Sequence, residues 1–140
     1  MRNRAMMLLC CCALLVFAFA CGGKYDDAVD VQEDFIDLAA DYVKEMDTAD
    51  SAEKVAAAMN HYADGMAELA PRIRKINEKY PELRDPETMP EKLKATTEEQ
   101  KEVMRNVSSS FMKAMPYMQN SEVQAAQKRI AQAMQGMNKK

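Results

Sequence analysis

Past Cys21 the chain has no cysteine; its four are Cys10, Cys11, Cys12 and Cys21. No disulfide can close within the segment that follows, so that segment must hold its fold by packing alone. Tryptophan is absent, and the 140 residues contain only four glycines and one histidine. No glycine-rich loop that could cradle a phosphate is present. No Cys-x-x-Cys-His for covalent haem occurs. A di-iron carboxylate bundle needs a glutamate three residues before a histidine, and Ala58 stands there before His61. No run alternates β-branched and aromatic residues, so nothing reads as a strand.

What remains is helical. Alanine, methionine, glutamate, lysine and glutamine dominate, all good helix formers, and the hydropathy follows helical periods. A first helix is expected over Asp26–Asp47, with Ala28, Phe35, Ala39, Tyr42 and Met46 on one face beside Val29, Ile36 and Val43. Asp50-Ser51-Ala52-Glu53 reads as a capping box, with the aspartate as cap. The second helix, Ala52–Lys79, has the clearest stripe: Val55, Met59, Tyr62, Met66, Leu69, Ile73, Ile76, Tyr80 and Leu83, in alternating steps of four and three. Pro71 falls inside it, but the apolar phase continues through, so a kink is expected rather than a stop.

Pro81, Pro86 and Pro90 punctuate a polar stretch from Pro81 to about Ala95, a connection that opposes continuous helix but leaves room for a short helix near Pro90–Lys94. Thr96-Thr97-Glu98-Glu99-Gln100 offers overlapping capping boxes for a third helix running to about Met118. It carries Met104, Val107, Phe111, Ala114 and Met118 inward, and Pro116 bends or ends it. Ser121 with Gln124 opens a fourth, with Val123, Ala126, Ile130, Ala133 and Met137 inward. The expected fold is all-α: an antiparallel helical bundle of four helices with a Pro-rich loop between the second and third. The alternative is a long helical hairpin completed by a second copy. Residues 26–140 are long enough for one domain with a core and not for two.

The N-terminus is of a different kind. Arg2 and Arg4 precede an apolar run from Ala5 to Ala20, and Ala18 and Ala20 are small residues at −3 and −1 to Cys21. That is the build of a secretory signal peptide over residues 1–20. The segment Ala18-Phe19-Ala20-Cys21 resembles the lipobox of bacterial lipoproteins. Ala18 stands where that pattern most often has leucine, and Phe19 is bulkier than its usual small residue. The resemblance implies cleavage before Cys21, a diacylglycerol on its sulfur, an acyl group on its amine, and a short tether, residues 21–25. The run is slightly short for a spanning helix, which needs roughly 17–25 residues; an uncleaved anchor and ordinary secretion with a free cysteine are the alternatives. In the anchored readings Arg2 and Arg4 stay cytoplasmic. Gly22 rather than aspartate after the cysteine points, by the same resemblance, to the outer membrane facing the periplasm.

Charge is unevenly spread. Residues 26–50 carry ten acids and Lys44, a net of −9, whereas 51–140 carry a net of +3. An acidic first helix lying across more basic later ones accounts for this; an acidic face for a cation or a basic partner is the sharper alternative. Nucleic acid is not an expected partner, for the chain lacks a basic, aromatic-studded face. Membrane lipid, through an acylated Cys21, is expected, with an envelope protein or a second copy of the chain beside it.

Candidate chemistry is thin. His61 is expected to point outward, with Asp64 and Glu68 on its side of the helix, an arrangement common on solvated surfaces. Ser108, Ser109 and Ser110 lack the G-x-S-x-G elbow of a nucleophile. Methionine is the oddity: ten follow residue 20, and Met112, Met115 and Met118 are spaced by threes, with Met134 and Met137 placed to face them. Thioethers suit Cu(I), so a Met-rich copper-binding protein is the alternative function. Core filling by flexible side chains accounts for most of these methionines. The function expected is non-catalytic: a membrane-anchored lipoprotein with a binding or structural role in the cell envelope, not an enzyme, with no cofactor and no metal or catalytic residue assigned.

Overall fold

The computed structural model describes residues 23–85 and 87–138. Among them are four α-helices and no strand: α1 (Asp26–Thr48), α2 (Ala52–Lys79), α3 (Glu91–Lys113) and α4 (Ser121–Asn138), with 3-10 turns at Pro81–Arg84 and Met115–Tyr117. None is long and apolar enough to cross a membrane. Cys21 and the apolar run before it lie outside the described residues.

The stripes read from the sequence face inward. In α1, Ala28, Val29, Val31, Phe35, Ile36, Ala39, Tyr42 and Met46 are buried, while Asp30, Glu33, Asp37 and Asp41 are exposed on the opposite side. In α2, Val55, Met59, Tyr62, Met66 and Leu69 are buried, and the helix continues unbroken through Pro71, whose ring lies on the exposed flank. Gly65 lies where α1 approaches α2: a β-carbon there would run into the Leu38 side chain.

Three local expectations are corrected. The cap of α2 is Ser51, whose Oγ accepts from the Lys54 amide at 3.3 Å; Asp50 instead holds the Lys54 ammonium at 2.9 Å. Helix α3 starts at Glu91, one turn before the threonine boxes. The hydroxyls of Thr96 and Thr97 donate back to the carbonyls of Lys92 and Leu93 rather than capping anything. Leu93 is the reason. At 1 % exposure it packs against Ala28, Val29 and Tyr80, and that burial outweighs the capping preference of the threonines. The third correction is at α4, where Asn120 is the cap: its Oδ1 accepts from the amides of Glu122 and Val123. Ser121 is already helical, and the Gln124 amide turns back to the Met118 carbonyl. Helix α3 stops at Lys113, before the 3-10 turn that contains Pro116.

Consecutive helices run antiparallel, as Asp27–Lys79, Asp34–Arg72 and Glu45–His61 show for α1 and α2. The lateral neighbours pair differently. Asp26–Lys92 and Asp47–Lys113 tie the start of α1 to the start of α3 and end to end. Arg129 reaches Asn60 and Asp64, and Gly136 lies against Ala70. Helix α3 therefore lies parallel to α1, and α4 parallel to α2, and the close helix pairs are α1–α2, α1–α3 and α2–α4.

The main core is shared by all four helices. Tyr42, Met46, Met59 and Met66 are among the largest fully buried side chains, packed with Tyr62, Val107, Val123 and Ala126. The Tyr42 ring lies 4.7 Å from that of Tyr62 and 5.4 Å from that of Phe111. Each such side chain contributes about 1.5–3 kcal/mol over leaving it exposed. The ion pairs between helices are solvent-exposed and individually weak. Packing sets the stability, and the ion pairs join acids of α1 to cations of α2 and α3.

Candidate functional site

The candidate site lies at the end of the bundle where α1 begins, five residues after Cys21. At this end of the bundle the start of α1, the end of α2, the start of α3 and the end of α4 meet. The chain enters as an ordered turn. The Gly23 amide donates to Asp26 at 2.5 Å, and the Asp26 amide returns to the Gly23 carbonyl at 3.1 Å. The Tyr80 hydroxyl sits between the Lys24 carbonyl and an Asp27 carboxylate oxygen 2.9 Å away, donating to one at a time. The rings of Tyr25 and Tyr80 stack tilted at 5.0 Å. Lys24 and the Tyr25 hydroxyl both reach Glu82 at 3.0 Å.

Charge follows the same ties. The Lys92 ammonium, then the Gly23 amide, holds Asp26 below its ordinary value of 3.8. Lys79, helped by the Tyr80 hydroxyl, does the same for Asp27. The first residues after Gly22 are thus fastened to both α2 and α3, and the tether expected over 21–25 is ordered from Gly23 onward.

Beside this fastening lies a cavity of about 340 Å³. Its walls are aliphatic for the most part: Val31 and Phe35 from α1, Ile73 and Ile76 from α2, Leu93 from α3, Met137 from α4. Among the described residues three polar side chains line it, Gln32, Asn77 and Gln100, all uncharged amides. The Gln32 Oε1 is buried without a hydrogen-bond partner. Gln32 falls on the apolar stripe of α1, and that misplacement was the one available signal.

The other candidates are scattered. His61 is exposed, as expected, and its Nδ1 meets Glu45 of α1 at 2.8 Å. Asp64, on the same side of α2, is held by Arg129. Among the described residues no three His, Cys, Asp or Glu side chains stand together as a metal site. The hydroxyls of Ser108 and Ser109 bond back to the carbonyls of Met104 and Arg105, and Ser110 is buried. The methionines do not converge. Met112 and Met115 are 73 % and 67 % exposed at the far end of α3, whereas Met118 packs against the core. Met137 lines the cavity at the opposite end, and Met134 lies on the same terminal turn of α4. The expected facing of Met134 and Met137 onto Met112, Met115 and Met118 is therefore not formed. Parallel packing of α4 on α2 carries the end of α4 away from the end of α3.

No protein-family model, curated protein or solved structure matches the chain.

Proposed function

We propose that this protein is an exported lipoprotein, acylated on Cys21, whose helical bundle acts at a membrane surface by binding rather than by catalysis. The observation that carries this is the sequence Ala18-Phe19-Ala20-Cys21 behind an uncharged apolar run that starts after Arg2 and Arg4. The ordered start of the bundle at Gly23 supports it, because it sets the folded part within three residues of the lipid. One acyl chain holds a protein at a bilayer only marginally, and several hold it firmly. The reading carries the outer-membrane, periplasm-facing placement suggested by Gly22, and an envelope protein or a second copy as partner.

Mass spectrometry of the N-terminal peptide from detergent-extracted protein tests it. The expected result is a peptide beginning at Cys21 and carrying three acyl chains, with neither cleavage nor lipid in Cys21→Ala. An unmodified cysteine, or a chain retaining residues 1–20, would overturn the reading.

A further inference from the structure

The cavity at the entry end of the bundle supports an inference about what this protein binds. We infer that it is a site for one aliphatic chain bearing a neutral, hydrogen-bonding head: an ester, amide or hydroxyl lipid rather than a fatty acid anion.

The size comes first. At about 340 Å³ the space falls at the lower end of small-molecule sites, which span roughly 300–1,000 Å³. The lining then selects the body of the ligand. Val31, Ile73, Ile76, Leu83, Met89 and Met137 present branched and flexible aliphatic surface, and Phe35 is the single aromatic ring. A flat ring system would find only Phe35 to stack on, whereas a linear chain meets adaptable surface along the walls.

The polar groups select the head. Among the described residues no lysine, arginine, aspartate or glutamate lines the cavity, so an ionised carboxylate would lose its hydration without a counter-charge from them. The three amides of Gln32, Asn77 and Gln100 are neutral, and the buried Gln32 Oε1 lacks a partner. Leaving such a group unmatched costs more than a good hydrogen bond returns. A hydroxyl- or amide-bearing head supplies the donor, and its ester or carbonyl oxygen answers an amide in either orientation.

Place supplies the source. Lys24, held on Tyr80 beside the cavity wall, is three residues from Cys21, a span of at most about 10 Å of extended chain. The ligand comes either from the acyl groups of Cys21 itself or from a free neutral lipid of the same membrane. The inference rests on the lipoprotein reading for that source alone; the cavity's chemistry stands without it.

The test uses the mature chain from residue 21 with Cys21→Ser, titrated with 1-monopalmitoylglycerol and, separately, palmitate at neutral pH, with stoichiometry read by native mass spectrometry. We expect one molecule of the neutral lipid per chain, bound at least tenfold more tightly than palmitate. Met89→Trp fills the wall from the connecting segment and should weaken binding tenfold or more. Gln32→Leu should weaken it several-fold while leaving the thermal midpoint unchanged or raised, and it decides the matter if Met89→Trp fails to fold. Absence of saturable binding, equal affinity for palmitate, or indifference to Gln32→Leu would each overturn the inference. The acylated native protein distinguishes the sources. Uptake of an added molecule means a free lipid, and refusal, when the Cys21→Ser chain binds, means that its own acyl chain fills the site. A Cys21 found unmodified would remove the lipoprotein reading and leave the binding result intact.

Discussion

The two ends of this bundle are built on different terms. Around Tyr42, Met59, Tyr62 and Met66 all four helices contribute to one filled core. At the entry end a smaller cluster of Ala28, Val29, Tyr80 and Leu93 sits beside open volume. There hydrogen bonds and ion pairs to Lys24, Asp26 and Asp27 do much of the fastening. Filled space resists deformation, because every atom already has neighbours; a fastened but underfilled end can admit a guest. The comparison locates stability in one half and adaptability in the other.

The sharpest way to test that contrast is to cut the same kind of side chain at each end. Met59→Ala, at 0 % exposure in the filled core, should cost about 3–4 kcal/mol by denaturant unfolding, since loss of burial and a new cavity add. Leu93→Ala borders space that is already open, and should cost about 2 kcal/mol. Equal losses would show that the ends do not differ in packing.

Alkali probes the filled end by itself. Burial pushes the Tyr62 phenol up to about 12 from 10.0, and burial together with the neighbouring Tyr62 moves the Tyr42 phenol in the same direction. A raised folded-state value means that the stability is complete below pH 10 and is lost as pH rises towards 12. Each such phenol should remove about 1.4 kcal/mol per pH unit in that window. An unfolding free energy that stays flat from pH 10 to 11.5 would contradict the burial of these rings.

Tyr80→Phe keeps the ring and removes the tie to Lys24 and Asp27. It should cost about 1 kcal/mol, with faster amide exchange confined to the first turn of α1. Global acceleration of exchange would mean that the entry end is not a separable unit. The smallest expected effect has the opposite sign. The Tyr42 hydroxyl is buried without a partner, so Tyr42→Phe should leave stability unchanged or raise it by up to about 1 kcal/mol.

Much of the fold was legible because it depends on period. The stripes of α1 and α2 and their lengths follow from where apolar residues recur, and Pro71 did not mislead because the phase runs through it. Local signals were weaker guides where burial competed with them. The Thr96–Gln100 boxes are sound caps in isolation, but Leu93 draws the helix back by one turn. Helical period also says which face of a helix is inward, not which helix it faces. That α4 neighbours α2, and α3 neighbours α1, had no counterpart in the pattern, whereas the separation of Met112 from Met137 follows already from the antiparallel order. The acidic bias of α1 was a partial clue to neighbours: Asp26, Asp27, Asp34 and Asp47 all meet cations of α2 or α3. The cavity was hidden for the opposite reason, being a place where side chains are missing rather than present.

The parallel pairing of α1 with α3 and of α2 with α4 has a consequence for the order of assembly. Contacts within the α1–α2 hairpin close across the short turn at Ala49–Ser51, whereas those joining the pairs span 65 to 69 positions, as in Lys92–Asp26 and Arg129–Asn60. Closing a longer loop costs more chain entropy, though only logarithmically. The first hairpin can therefore gather before α3 and α4 dock, but neither Leu93 nor Val123 has its burial until they arrive. The entry end, to which α3 and α4 each bring a terminus, should therefore close after the first hairpin.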